Sequence, residues 1–168
     1  MQQLPHRYLH PGEMIFTREL CQIVTVLGSC VALTLFSVRL RAAAICHVTL
    51  PEAPSGRDPG GKRFRFASDT IPEMLSRFRA IGVKSSELEA RVFGGSSRIS
   101  AHGKQSIYPV GRANLERVRQ LLQEACVPIR QQDAGAPGSL RLVFDTGTGQ
   151  VHVSRLSNPP QPPNPLSR

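Results

Sequence analysis

Two residues of this chain have the types needed for covalent chemistry: a cysteine in a glycine-containing turn and a histidine near the end of an apolar run. Cys30 follows Gly28 and Ser29, and His47 lies in the next apolar segment but one. A thiol beside an imidazole becomes a nucleophile near neutral pH, because the thiolate–imidazolium ion pair lowers the pKa of the thiol. The spacing alone leaves a second interpretation open, in which Cys30 is a buried structural residue and His47 a core histidine.

Two extended segments must bring these residues together. Val31–Phe36 and Ala43–Leu50 are apolar, which is typical of buried strands, and a short polar connection at 38–41 joins them. If these two segments pair as antiparallel strands, His47 lies close to Cys30 in space. A further strand is predicted at Gln22–Leu27, because this segment is rich in β-branched residues and ends at a Gly-Ser turn.

Two helices are predicted farther along the chain. The first opens at 68–70, with Pro72 in its first turn and Glu73 placed for a capping box, and ends at Gly82. The second covers 113–125, and its apolar residues fall on one face. Further strands are expected at Leu88–Phe93, Val127–Gln131, Ser139–Phe144 and Gln150–Leu156. Together these elements predict an α+β fold, a single-domain sandwich of mixed β-sheet packed with two main helices.

The chain divides into three parts. Residues 1–12 are turn-rich and are expected to form a flexible arm, residues 13–157 the folded domain, and residues 158–168, with five prolines, an exposed tail. No apolar run approaches the roughly 20 residues that span a bilayer, and the N-terminus lacks the charged-then-apolar order of a signal peptide. A cytoplasmic protein without direct membrane insertion is therefore expected.

The composition restricts the classes of partner and cofactor. The net charge is +9, which favours anionic partners. No nucleic-acid-binding motif is present, there is no Trp, and only 5% of the residues are aromatic, so nucleic-acid binding is disfavoured, although it remains an alternative with a clear test in salt dependence. The four cysteines form no CxxC pair and the histidines lack ligand spacing, so no metal site and no cofactor are predicted.

A series of motifs resembles the chemoreceptor glutamine deamidase family, CheD. The motifs occur in the family's order and span about residues 12 to 155. They are TVLGSCVAL at 25–33, HVTLP at 47–51, FASDTIPEML at 66–75, ARVFGG at 90–95, GRANL at 111–115, DAG at 133–135 and FDTGTG at 144–149. One departure stands beside the histidine, where the family usually has an asparagine and this chain has Cys46.

The resemblance implies that Cys30 is the nucleophile and His47 the base, and that a threonine upstream of the cysteine orients the histidine. The residues themselves suggest that the backbone N–H groups of the turn at Gly28 and Ser29 bind the oxyanion, since glycine leaves them accessible. Thr25 is the nearest candidate for that threonine, although it could simply be a strand residue. Gly94 and Gly95 would frame the substrate cleft, with a plain strand-to-loop turn as the alternative.

The implied activity of residues 13–157 is that of a CheD-like deamidase. Such an enzyme hydrolyses specific glutamine side chains to glutamate on the cytoplasmic domains of methyl-accepting chemotaxis receptors, through a Cys-His thioester mechanism, and some members also hydrolyse receptor methyl esters. The resemblance also implies a CheC-type phosphatase as a partner. The alternative is a non-catalytic regulatory module that binds this phosphatase and the receptors.

Overall fold

Two mixed β-sheets and two α-helices make up the described part of the chain. The structure is a computed structural model that describes residues 4–55, 63–97 and 109–156. The strands are β1 (His6–Tyr8), β2 (Met14–Thr17), β3 (Gln22–Leu27), β4 (Val31–Ser37), β5 (Ala42–Val48), β6 (Leu88–Gly94), β7 (Ile129–Ala134), β8 (Ser139–Asp145) and β9 (Val151–Leu156). The helices are α1 (Ala67–Ala80) and α2 (Val110–Glu124). The predicted α+β class is confirmed.

The strands form a four-stranded and a five-stranded sheet. The first sheet has the order β1-β3-β8-β9 and the second the order β2-β5-β4-β6-β7. Each sheet contains one parallel pair, β1 with β3 and β6 with β7, so both are mixed. The crossover from β3 to β4 carries the chain from the first sheet to the second, and this crossover contains Cys30.

Two apolar clusters separate three layers. One cluster lies between the sheets, where alternate residues of β3 and β8 face alternate residues of β4 and β5. The other lies between the second sheet and both helices. All residues of β4 and β5 are buried, because this strand pair has a packed layer on each face.

Part of the segment expected to be a flexible arm is a β-strand instead. Strand β1 pairs with β3, the side chain of Leu9 is fully buried, and the backbone N–H of Gly12 donates to the carbonyl of His47 at 2.8 Å. The turn-forming residues of this segment show no hydrophobic period that would predict a strand. The strand forms because it pairs with β3, about 16 residues later in the chain. Strand β2 was not predicted either, because it is short and only partly buried.

The helices differ in detail from the sequence expectation. Helix α1 begins at Ala67 with Phe66 as its N-cap, and no side chain caps it. The carboxylate of Glu73 pairs with Arg63 and Arg77 rather than with the helix N-terminus, because those basic side chains are in reach. Helix α2 starts three residues earlier than its expected first residue, at Val110.

In the portions that the structure describes, neither helix is both long and apolar enough to cross a membrane. The proline-rich tail expected at 158–168 lies outside the described residues.

Candidate active site

Cys30 lies at the end of the loop that joins the two sheets. The loop consists of Gly28, Ser29 and Cys30, all partly exposed, and it leads directly into the buried strand β4. The cysteine packs at the edge of the cluster between the sheets. A side chain at this position has one side in the core and the other in solvent, as a nucleophile that receives an external substrate requires.

Hydrogen bonds to its three successive carbonyl groups hold this loop in place. The carbonyl of Gly28 accepts a hydrogen bond from the backbone N–H of Ser96 at 3.0 Å, and that of Cys30 accepts one from Gly95 at 2.8 Å. The carbonyl of Ser29 accepts a hydrogen bond from the side chain of Asn114 at 3.2 Å. The loop is therefore held at each residue, although it belongs to no strand or helix.

The glycine pair at the end of β6 makes this support possible. Gly94 has φ +95° and Gly95 has φ +65°, and a Cβ at Gly94 would collide with the carbonyl oxygen of Cys30. A side chain at either position would strain the backbone or displace the cysteine loop. The sequence left open whether this pair frames a cleft or forms a plain turn, and the structure places it in backbone contact with the cysteine loop.

His47 lies on the face of β5 that points between the sheets. It pairs with Ala32 of β4, two residues after Cys30, so the pleat directs the three side chains to the same side. The side chain is 1% exposed. Both polar groups of its backbone are bound by the segment before β2, because its carbonyl accepts from Gly12 and its N–H donates to the carbonyl of Glu13 at 3.0 Å.

A hydrogen bond joins Thr25 to the imidazole ring of His47. Its Oγ1 donates to the carbonyl of Leu9 at 2.8 Å and lies 2.8 Å from Nδ1 of His47. A carbonyl can only accept, so the single hydroxyl proton is used on Leu9, and Oγ1 must accept from Nδ1. The hydrogen-bond network therefore assigns the proton to Nδ1 and leaves the lone pair on Nε2. Among the described residues, Nε2 is buried without a hydrogen-bond partner.

The environment keeps His47 neutral. Burial lowers its pKa from 6.5 to about 4, and the carboxylate of Glu13 opposes this only in part. A threonine hydroxyl carries no charge that could stabilise an imidazolium. The thiolate–imidazolium ion pair expected from the sequence is thus not favoured at rest, because burial disfavours the charged imidazolium.

Asn114 of α2 is a site residue that the sequence reasoning missed. It is fully buried, and its Nδ2 donates to the carbonyls of Ser29 at 3.2 Å and Thr49 at 3.0 Å. One amide thus ties the cysteine loop to the segment that leaves β5 after His47. The available signal was an asparagine within an otherwise apolar helical stripe, a position where an unpaired amide would be costly.

Cys46 is not a competing nucleophile. It is fully buried on the opposite face of β5 from His47, in the cluster beneath the helices, and burial raises its pKa to about 12. Cys21 is also buried, whereas Cys126 is exposed at the end of α2. The departure from the family pattern beside the histidine therefore points away from the site.

Comparison with known proteins identifies the family. The model of the family described as "CheD chemotactic sensory transduction" matches residues 49–155. The chain belongs to the CheD family. It is 38% identical to "Probable chemoreceptor glutamine deamidase CheD 2" of Geobacter sulfurreducens, over 92% of each chain. It is 35% identical to "Probable chemoreceptor glutamine deamidase CheD" of Oleidesulfovibrio alaskensis, over 92% of this chain and 74% of the relative.

A further relative comes from another organism. The chain is 28% identical to "Chemoreceptor glutamine deamidase CheD" of Halalkalibacterium halodurans, over 76% of this chain and 78% of the relative. The CheD family membership expected from the motifs is thus confirmed by matches that extend over most of the chain.

Proposed function

We propose that this protein is a protein-glutamine glutaminase that converts glutamine side chains of chemoreceptors to glutamate, with Cys30 as nucleophile and His47 as base. The observation that carries the proposal is the hydrogen-bond chain from Leu9 through Thr25 to His47, because it leaves the lone pair on Nε2. The names of the CheD relatives, which are chemoreceptor glutamine deamidases, support the same reaction and substrate.

The first half of the reaction forms a thioester. The thiol of Cys30 gives its proton to Nε2 of His47 as the sulfur attacks the carbon of the glutamine amide, and the carbonyl becomes an oxyanion. The imidazolium then returns this proton to the amide nitrogen, the C–N bond breaks, and ammonia leaves. Because His47 is neutral beforehand, it is in the protonation state that the first step needs.

The second half releases glutamate. Water attacks the thioester carbon and gives a proton to Nε2, and collapse of the new tetrahedral intermediate breaks the C–S bond. The thiolate recovers a proton from the imidazolium, which restores both residues. Throughout, Thr25 accepts the Nδ1 hydrogen bond, so that the ring keeps one orientation and one working nitrogen.

The loop before the cysteine would bind the oxyanion. Backbone N–H groups of Gly28, Ser29 and Cys30 are the proposed donors, since preorganised backbone donors stabilise the charge that develops in the transition state. Support comes from the anchored carbonyls of all three residues, which remove the freedom of the loop to reorganise during the reaction.

The proposal also includes a second reaction and a binding partner. A glutamyl methyl ester is attacked by the same sulfur in the same way and yields the same thioester, with methanol in place of ammonia, so receptor methylesterase activity is proposed as well. Binding of a CheC-type phosphatase is proposed for a surface of the domain. A regulatory module without catalysis is the alternative, and it requires that phosphatase binding survive without Cys30.

Mass spectrometry of a chemoreceptor cytoplasmic fragment tests the proposal. The fragment, from the same genome, is incubated with the wild type, with Cys30→Ala and with Cys126→Ala. Glutamine-to-glutamate conversion is expected with the wild type and Cys126→Ala, and none with Cys30→Ala. Equal conversion by Cys30→Ala would exclude the cysteine mechanism. No conversion by any of the three would favour the regulatory module.

A further inference from the structure

A small cavity opens beside the backbone of His47. Its volume is about 180 Å³, and it is lined by Pro11, Gly12, Thr49 and Arg65. The N–H of Gly12 binds the carbonyl of His47, and Thr49 follows the histidine by two residues, so the cavity adjoins the candidate catalytic centre. Cavities of about 150 Å³ hold a molecule the size of benzene, and this one therefore has room for one side chain of a substrate.

Arg65 is the charged residue of this lining, and its position does not depend on its side chain. Its carbonyl accepts hydrogen bonds from the backbone N–H groups of Thr49 at 2.8 Å and Leu50 at 3.0 Å. The guanidinium lies 5.1 Å from the centre of the Phe66 ring. The backbone thus fixes where the arginine stands, and a change of its side chain leaves these backbone contacts in place.

No carboxylate of the described residues lies within ion-pair distance of Arg65. The neighbouring Arg63 forms an ion pair with Glu73. Exposed arginine side chains also form the ion pairs of Arg39, Arg77 and Arg112. The carboxylate of Glu13, which raises the pKa of His47, accepts a hydrogen bond from the N–H of His10. Glu13 is not among the described residues that line the cavity. Within the described part of the chain, the guanidinium of this cavity-lining residue therefore has no acidic partner.

We propose that Arg65 and this cavity form a subsite for a carboxylate of the substrate, an aspartate or glutamate within a few residues of the target glutamine. The inference rests on the proposed function and adds a substrate preference to it. A guanidinium presents a planar fork of donors that matches a carboxylate, and such charge-assisted hydrogen bonds are stronger than neutral ones. The subsite would hold the receptor segment so that the neighbouring glutamine reaches Cys30.

Paired substrates test the subsite. Two receptor fragments are compared, one with glutamate within four residues of a mapped target glutamine and one with alanine there. For the wild type, kcat/KM for the glutamate fragment is expected to exceed that for the alanine fragment by about tenfold, the order that one charge-assisted hydrogen bond supplies. In Arg65→Gln the ratio is expected to fall towards one, and in Arg65→Lys to an intermediate value.

The control separates a local subsite from general attraction. Arg79→Gln removes the same charge from an exposed position on α1 and is expected to keep the wild-type ratio. An equal ratio in the wild type and Arg65→Gln, or an equal loss in Arg79→Gln, would overturn the inference while leaving deamidation intact. No deamidation of either fragment by the wild type would overturn the proposed function, and the subsite with it.

Discussion

Oγ1 of Thr25 lies 2.8 Å from Nδ1 of His47, and the two residues come from different sheets. The contact spans the layer between the sheets at the end where Cys30 enters β4. Because Thr25 also donates to Leu9, a residue of the N-terminal segment, three separate parts of the chain determine which imidazole nitrogen holds the proton.

Removal of the Thr25 hydroxyl is expected to slow the reaction more than it weakens substrate binding. Thr25→Val keeps the shape but leaves the carbonyl of Leu9 without its donor and the His47 ring without its acceptor. A loss of about 1–3 kcal/mol from such a buried contact corresponds to a decrease in kcat of roughly fivefold to 150-fold. Thr25→Ser restores the hydroxyl and should recover most of kcat. Equal activity of Thr25→Val and Thr25→Ser would show that the hydroxyl does not orient the ring.

The acidic limb of the pH–rate profile is expected far below the usual histidine range. His47 must be neutral to accept the proton of Cys30, and burial lowers its pKa to about 4. The value of kcat/KM should therefore rise with pH through about 4 and be independent of His47 protonation above pH 5. Deamidation of a receptor fragment is measured from pH 4 to 8, with circular dichroism at each pH as the folding control. A midpoint near 6.5 would contradict a buried neutral imidazole.

Stability is expected to fall with acidification because of His47. The unfolded chain binds a proton at its ordinary pKa of 6.5 and the folded chain only at about 4, so the unfolded state gains protons between these values. The contribution of His47 to the free energy of unfolding is thus full above pH 6.5. It falls by roughly 3 kcal/mol as the pH decreases to 4. Urea unfolding at pH 7 and pH 4.5 measures the loss.

The matched variant for this measurement is His47→Gln, which cannot titrate in that range. The wild type should lose more free energy of unfolding between pH 7 and pH 4.5 than His47→Gln does. Carboxylates outside the site contribute equally to both proteins, so the difference isolates the histidine. Identical losses would mean that His47 titrates alike in the folded and unfolded states.

Asn114 is expected to position Cys30 rather than only to stabilise the helix. Asn114→Ala leaves the carbonyls of Ser29 and Thr49 without their donor, at a cost of about 1–3 kcal/mol in stability. In addition, the ratio of iodoacetamide reaction at Cys30 to that at Cys126 should fall, because the thiol is displaced from its base. Peptide mass mapping gives both rates in one experiment at a temperature where the variant is folded.

An exposed residue of the same helix provides the control for Asn114. Gln120→Ala removes a polar contact on the outer face of α2 and should leave the alkylation ratio unchanged. If Asn114→Ala lowers the melting temperature and keeps the wild-type ratio, the asparagine supports the fold alone.

Local patterns were sufficient for much of this protein. The strand–turn–strand arrangement around Cys30 and His47 was predicted because β-branched and apolar runs bounded by turn residues indicate buried strands, and the observed β4–β5 pairing agrees with it. The two helices followed from their apolar periodicity. The residues themselves singled out the cysteine and the histidine, because few side chain types carry out nucleophilic chemistry.

The sequence by itself determined which residues could react and on which local elements they lie. The tertiary structure alone decided the protonation state of His47, because burial and the Thr25–Leu9 contact arise only when two sheets and the N-terminal segment pack together. It also decided the support of the cysteine loop by Gly95, Ser96 and Asn114, and the position of Arg65 beside Thr49. These features join residues far apart in the chain, and local periodicity carries no information about such pairs.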